Sequence, residues 1–295
     1  MNRRTLAILA AIGATTIYGL NHTIAKGVMP DYVRPFGFIM LRVIGGAILF
    51  WLISLFGPKE KIAKKDYPRL LLCAVLGMAF NMLAFFKGLA LSTPINSAVL
   101  ITISPIIVLL LSAILIKEKI GIRKITGILI GLAGALALIL FGAETRSDAP
   151  NIPLGNLFIL TNSVLYGSYL IAAKLLISKY HPFTFMKWLF TLGIFICLPF
   201  GYDELIQIQW ENLPFEALWK IGFVVLGTTF CTYLFNIFAL TQLKASTLSA
   251  FVYIQPLVGI GFAVLTGQDS LTTIKIGAAC LVLLGVYLAS RRARV

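Results

Sequence analysis

Apolar residues in this chain neither alternate strictly nor form narrow helical stripes. They run on for about twenty residues at a time, between short polar or Pro/Gly-containing links. At 1.5 Å per residue, roughly 20 helical residues cross a bilayer core about 30 Å thick. Runs of that size recur from end to end and predict ten spans, at roughly 5–26, 35–56, 69–91, 94–116, 122–142, 154–178, 183–202, 216–241, 246–267 and 272–290. The longest link, around 203–215, is too short for a soluble domain. The opening MNRRTLAILAAIGA has the basic head, apolar run and small residues of a signal peptide. Nine further spans follow it, so it is read as a retained first helix.

Composition agrees. Hydrophobic residues make up 59% of the chain and charged residues 12%, with a mean hydropathy of +0.94. A soluble domain carries about 25% charged residues, so this chain cannot clothe a water-facing surface. The net charge of +14 is spread over many short links. Arg3 and Arg4, then Lys59, Lys61, Lys64, Lys65 and Arg69, then Lys117, Lys119, Arg123 and Lys124, then Lys179, Lys244, Arg291, Arg292 and Arg294 all fall on one predicted side. Most acids fall on the other: Asp31, Glu144, Asp148, Asp203, Glu204, Glu211, Glu216 and Asp269. The positive-inside rule then places both termini in the cytoplasm, in a multi-pass protein of the cell membrane, expected to be the cytoplasmic membrane of a bacterium. A nucleic-acid partner would need one contiguous basic face, and none is present. Cys73, Cys197, Cys231 and Cys280 all lie inside spans without metal-ligand spacing, so packing is their expected role and no disulfide, metal or cofactor is implied.

The chain also repeats itself. TIYGLNHTIAK (16–26) returns as VLYGSYLIAAK (164–174), with Tyr18, Gly19, Ala25 and Lys26 matching Tyr166, Gly167, Ala173 and Lys174 at an offset of 148. VLGMAF (75–80) returns as VLGTTF (225–230), and Pro105, Glu118 and Gly134 match Pro256, Asp269 and Gly285 at 151. Such a steady offset indicates a duplicated unit of five spans, residues 1–146 and 147–295. Five is odd, so the second copy enters the membrane upside down. The fold class expected is therefore an all-α polytopic membrane protein of ten transmembrane helices in two inverted five-helix repeats. Inverted repeats are typical of secondary transporters.

The same segments carry a family resemblance. The aromatic-Gly pair in IYGLNHTIAK, Leu41-Arg42, the stretch NMLAFFKGLALSTPINSAVLITISPIIVLLLSAILIKEKI and the Gly-rich GILIGLAGALALIL together resemble the EamA type of the drug/metabolite transporter superfamily over essentially the whole chain. The second copy departs from it at Gln255-Pro256 and at Asp269 in GQDSL. The resemblance implies ten helices, a central cavity lined mainly by helices 1, 3, 4, 6, 8 and 9, and transport of a small metabolite.

Candidate site residues follow from depth. Charge in hydrocarbon costs several kcal/mol, so Lys26, Arg42, Lys87, Lys174 and Lys187 are each singled out. Lys26, Lys174 and Lys187 lie near span ends, where snorkelling is the expected role. Lys87 can snorkel or face a cavity. Arg42 sits roughly 10 Å into helix 2, as a cavity group or as a tie to backbone carbonyls. Among uncharged groups, Tyr18, Asn21 and His22 on helix 1, Asn81, Ser104, Tyr166, Tyr169, Asn236, Tyr253 and Gln255 are cavity candidates, with interhelical hydrogen bonding as the alternative. Pro105 and Pro256 break helices 4 and 9 and free carbonyls at depth. Glu118 and Asp269 are expected to cap the helices that follow them. Gly127, Gly131 and Gly134 have small-xxx-small spacing and are expected to pack.

No Asp or Glu falls within a predicted span, which disfavours cation-for-proton exchange. An intramembrane enzyme would need paired aspartates, H-E-x-x-H or a Ser/Lys dyad, and none is visible. The expected function is a secondary transporter, most simply an exporter, of an amino acid or related metabolite, working by alternating access. A passive facilitator or channel for small polar solutes is the alternative. The expected partners are the small-molecule substrate and the lipid bilayer, with a homodimer as one assembly open to the chain.

Overall fold

The computed structural model describes residues 2–26, 28, 32–91, 100–101, 104–115, 117, 121–142, 151–265 and 273–290. Among these residues every regular element is helical. In chain order the long helices are α1 (Arg3–Lys26), α2 (Pro35–Ser54), α3 (Tyr67–Ala74, Val75–Ala79 and Phe80–Leu91), α4 (Ser104–Leu115), α5 (Ile122–Gly142), α6 (Ile152–Ile177), α7 (Pro182–Ile206), α8 (Phe215–Phe223, Val224–Cys231 and Thr232–Gln242), α9 (Ala245–Ala250, Phe251–Tyr253 and Ile254–Leu265) and α10 (Thr273–Ser290). Each coincides with one predicted span. Helices α2, α3, α6, α7 and α8 are individually long and apolar enough to cross a membrane. Their outward side chains, among them Ile48, Phe195 and Leu226, are exposed and apolar, as lipid contact requires.

Prolines set several starts. Pro35 and Pro182 open α2 and α7, where a missing N–H costs nothing. Asn151 caps α6 by accepting from the Leu154 N–H at 3.2 Å. Helix α7 runs on to Ile206, past its expected end, because Glu204 on that last turn has a partner on α2: its Oε2 accepts the Phe36 and Gly37 N–H groups at 2.7 and 3.0 Å. At the opposite end of the same pair, Glu60 accepts from the His181 N–H at 2.8 Å. The α2/α7 pair is thus antiparallel, with each helix start capped by a carboxylate from beside its partner's end.

The break before Pro256 takes the form of one tight 3-10 turn, Phe251–Tyr253. Two other irregularities had no warning in hydropathy. Within α3, Val75–Ala79 is a π-turn, and within α8 so is Val224–Cys231. A π-turn carries an extra residue and leaves the backbone ladder locally mismatched, and it is frequent at functional sites.

Helix packing is pairwise. Besides α2 on α7, α5 packs on α10, α1 on α8 and α9, and α6 on α3 and α4. The α5/α10 contact is backbone against backbone: a Cβ on Gly285 would lie 2.4 Å from the Gly131 nitrogen, and one on Gly134 would lie 2.8 Å from the Ala278 carbonyl oxygen. Gly127 likewise meets Ala289. Glycines on both helices allow this close an approach. The core between α2, α7 and α8 is aromatic, with Phe50 stacked at 5.0 Å on Phe190 and 4.8 Å on Phe230.

Candidate functional site

Polar groups from five helices, α1, α2, α3, α6 and α8, converge where the two π-turns face the interior. In α8, within the wide turn, the Thr229 hydroxyl donates to the Val224 carbonyl at 2.9 Å. That hydroxyl in turn accepts from Arg42 Nε at 3.0 Å. Arg42 is only 6% exposed. This is its one hydrogen bond among the described residues, and no carboxylate there pairs with it. One residue earlier, the Thr228 hydroxyl donates to Asn21 Oδ1 of α1 at 2.9 Å. One turn later, Thr232 bonds back to the Thr228 carbonyl. Tyr18 of α1 lies beside Thr232 and Asn236, close enough to Arg42 to feel its charge.

The α3 turn contributes in the same manner. Its Gly77 carbonyl accepts from the Tyr233 hydroxyl at 3.2 Å, and the Gly77 face lets the Tyr169 ring of α6 approach so closely that a Cβ would lie 2.2 Å from it. Tyr166 lies beside Tyr169, with ring centroids 6.4 Å apart. The repeated aromatic-Gly pairs now have a physical reason. Gly19 admits α9, a Cβ there being 2.8 Å from Val258 Cβ, and Gly167 meets Leu111 and Val108 of α4. With the glycine sides of α1 and α6 packed on a neighbour, Tyr18 and Tyr166 are left to the interior.

The remaining candidates are placed as follows. Asn81 and Asn162 exchange amide hydrogen bonds with each other's carbonyls at 3.1 and 2.9 Å, joining α3 to α6. Ser104 donates to Ser163 at 2.9 Å, joining α4 to α6 beside buried Pro105. Tyr253 is fully buried against Gly131, with no hydrogen-bond partner for its hydroxyl among the described residues. The Gln255 carbonyl and Val258 pack on Gly19, while Gln255 and Pro256 are half-buried and Lys87 is exposed. The side chains of His22 and Lys26, and residues Glu118 and Asp269, lie outside what the structure describes.

Two lysines expected to snorkel do otherwise. Lys174 of α6 donates to the carbonyls of Leu240 and Leu243, the latter at 3.0 Å, and so caps the end of α8, where a cation meets the negative end of the helix dipole. Lys187 stacks over Trp51 at 4.7 Å, a cation–π contact. Cys73 and Cys197 are buried and Cys231 half-buried, whereas Cys280 is exposed; all four are free thiols.

Thr228, Thr229, Thr232, Tyr233, Asn162 and Ser163 belong to these networks and were not among the sequence candidates. The recurring VLG of the two π-turns was the one available signal, and it pointed to duplication without revealing the wide turn.

An all-helical multi-pass chain with an apolar exterior and a buried polar cluster among its helices is a membrane transporter in layout. Comparison with known proteins supplies the rest: the EamA-like transporter family model matches residues 5–140 and 153–291, and the chain belongs to that family. It is 27% identical to an uncharacterized transporter of Archaeoglobus fulgidus over 94% of this chain and 96% of that one. It is 24% identical to the uncharacterized transporter YyaM of Bacillus subtilis, over 96% and 93% of the two. A probable terminal-alkyne amino-acid exporter of Streptantibioticus cattleyicolor is 22% identical over 77% of this chain and 74% of its own length. One solved crystal structure superimposes with a TM-score of 0.78 at 18% identity, covering 96% of either chain, a likeness of fold.

Proposed function

We propose that this transporter is a secondary carrier that exports an amino acid or related small metabolite across the cytoplasmic membrane of a bacterium by alternating access. One observation carries the proposal: the buried polar cluster is shared between the halves of the chain. Tyr18, Asn21 and Arg42 come from the first half; Thr228, Thr229, Thr232 and Asn236 come from the second. Rocking one half against the other would break and remake these bonds around a bound solute, which is what a carrier site must allow.

Several features support the inverted-repeat arrangement that such rocking needs. The helices that correspond in the two repeats, α2 with α7 and α5 with α10, pack on each other antiparallel. The contacts of α1 with α8 and α9 have counterparts in those of α6 with α3 and α4. The π-turns occupy matching places in α3 and α8, and the family model matches the chain in two consecutive stretches. The amino-acid class is supported by the exporter relative and by the arginine and tyrosines of the cluster.

Counterflow in proteoliposomes tests the proposal. Vesicles loaded with an amino-acid mixture should accelerate entry of labelled amino acids, entry should saturate, and Tyr18→Phe with Asn236→Leu should slow it at least tenfold per folded protein. Entry that never saturates and ignores the solute inside would make the protein a passive facilitator.

A further inference from the structure

We infer that the substrate is held by its carboxylate, that the Arg42 guanidinium is the group that holds it, and that acids lacking an amino group are accepted at least as well as amino acids. The inference rests on the polar cluster being the transport site.

It starts from charge. A guanidinium that is 6% exposed has little water to solvate it, and buried charges are normally paired. Yet Arg42 has no acidic partner among the described residues. The groups around it are hydroxyls and an amide: Thr229 bonded to it, Tyr18 and Tyr233 within reach of its charge, and Thr228, Thr232 and Asn236 beyond. None carries a negative charge at neutral pH. Among the described residues nothing compensates the guanidinium, and an anionic solute would.

Geometry narrows the anion. Thr229 spends its proton on the Val224 carbonyl, so its lone pair faces Arg42 and takes the Nε hydrogen. The guanidinium is anchored at Nε, and its two terminal nitrogens make no hydrogen bond among the described residues. A planar pair of N–H donors matches the two oxygens of a carboxylate. The same surroundings offer an ammonium group no counter-charge, and Arg42 repels it. An amino group on the substrate therefore gains nothing from charge here, and removing it costs nothing.

The test uses full-length protein in detergent, melted with and without small ligands. The compounds are 3-phenylpropionate and 4-methylpentanoate, their primary amides, the amino acids L-phenylalanine and L-leucine, the amines phenethylamine and isopentylamine, and inorganic phosphate. Binding to the folded state stabilises it by RT ln(1 + L/Kd), where L is the free ligand concentration, so the melting temperature rises with ligand concentration relative to Kd. At least one acid should stabilise the protein as well as its amino-acid counterpart, while amides, amines and phosphate should not. Arg42→Gln should abolish the acid's effect, and Thr229→Val, which frees the guanidinium to swing, should weaken it about tenfold. The inference is overturned if amides, amines or phosphate match the acids, if no compound stabilises, or if Arg42→Gln keeps the acid response. Should Arg42→Gln fail to fold, an unchanged acid response in Thr229→Val overturns it alone. Flux of the same compounds separates the two ideas. An acid that binds but never crosses would sink the carrier proposal only, and an amine that crosses while no acid binds would sink this one only.

Discussion

Glu204, on the last turn of α7, accepts the backbone N–H of Phe36 at the first turn of α2, across 2.7 Å and 168 positions of sequence. The carboxylate also takes the Gly37 N–H and so does for α2 what a local N-cap residue does elsewhere, since Arg34 at that cap makes no side-chain bond of its own. Loss of an N-cap costs about 1–2 kcal/mol. Glu204→Ala should lower the melting temperature by a few degrees, and Glu204→Gln, which keeps an acceptor but not the charge, should fall between it and the parent. Equal melting of all three would show that the bond contributes nothing.

The α5/α10 seam predicts a sharper loss. No side chain can give way where a Cβ on Gly285 would meet the Gly131 backbone at 2.4 Å. Gly285→Ala should cost about 3 kcal/mol, the upper end for overpacking a well-filled site. Gly121, which has nothing within 4 Å among the described residues, supplies the contrast: its alanine variant should fold like the parent. Folded yield and melting curves of the two variants side by side decide the point.

Acid should weaken the junction between the α2–α3 and α6–α7 links. Asp66, at the end of the 3-10 turn that precedes α3, takes hydrogen bonds from Lys179 at 2.9 Å and Tyr180 at 2.7 Å. These bonds, with the charge of Lys179, hold its carboxyl below the ordinary value of 3.8. A carboxyl that resists protonation in the folded state stabilises fully above that ordinary value. The contribution is then lost as pH falls below 3.8 toward the lowered folded value. Asp66→Asn should melt below the parent at pH 7, and the gap should narrow as the pH drops through that window. A constant gap down to pH 3 would mean the carboxyl is not the source.

Topology is testable without any substrate. Reporters fused after Lys65 and after Arg294 should both read cytoplasmic, and one inserted near Glu211 should read external, from the imbalance of basic residues. An external reporter after Arg294 would undo the even number of spans.

Much of this was legible in the linear pattern, and the reason differs by element. The ten helices were legible because lipid tolerates only continuous apolar stretches, and the α5 glycines because a fixed spacing puts small residues on one helix face. The repeat located Tyr18 and Tyr166, since a glycine beside each had to serve the same neighbour contact. Thr228, Thr229 and Tyr233 escaped because what places them is a backbone event: the extra residue of a π-turn rotates the following residues and leaves no mark in hydropathy. Lys174 and Lys187 escaped for another reason. Their partners, the Leu240 and Leu243 carbonyls and the Trp51 ring, lie 66, 69 and 136 residues away in sequence, and a position near a helix end is equally consistent with reaching for headgroups. Glu204 counted in the sequence only as a link acid, and Glu60 was not singled out, because a cap supplied by another helix has no local spacing to read.

The two wide turns have one more consequence. At Val224 and Gly77 it is the main chain that offers an acceptor to Thr229 and Tyr233 in the middle of the bundle. A codon change can erase a hydroxyl or a guanidinium, but it cannot erase a carbonyl. In the proposed carrier, side chains around the cluster could therefore drift toward new solutes while a fixed share of its polarity stays with the backbone, a way to alter the cargo without first losing the means to carry any.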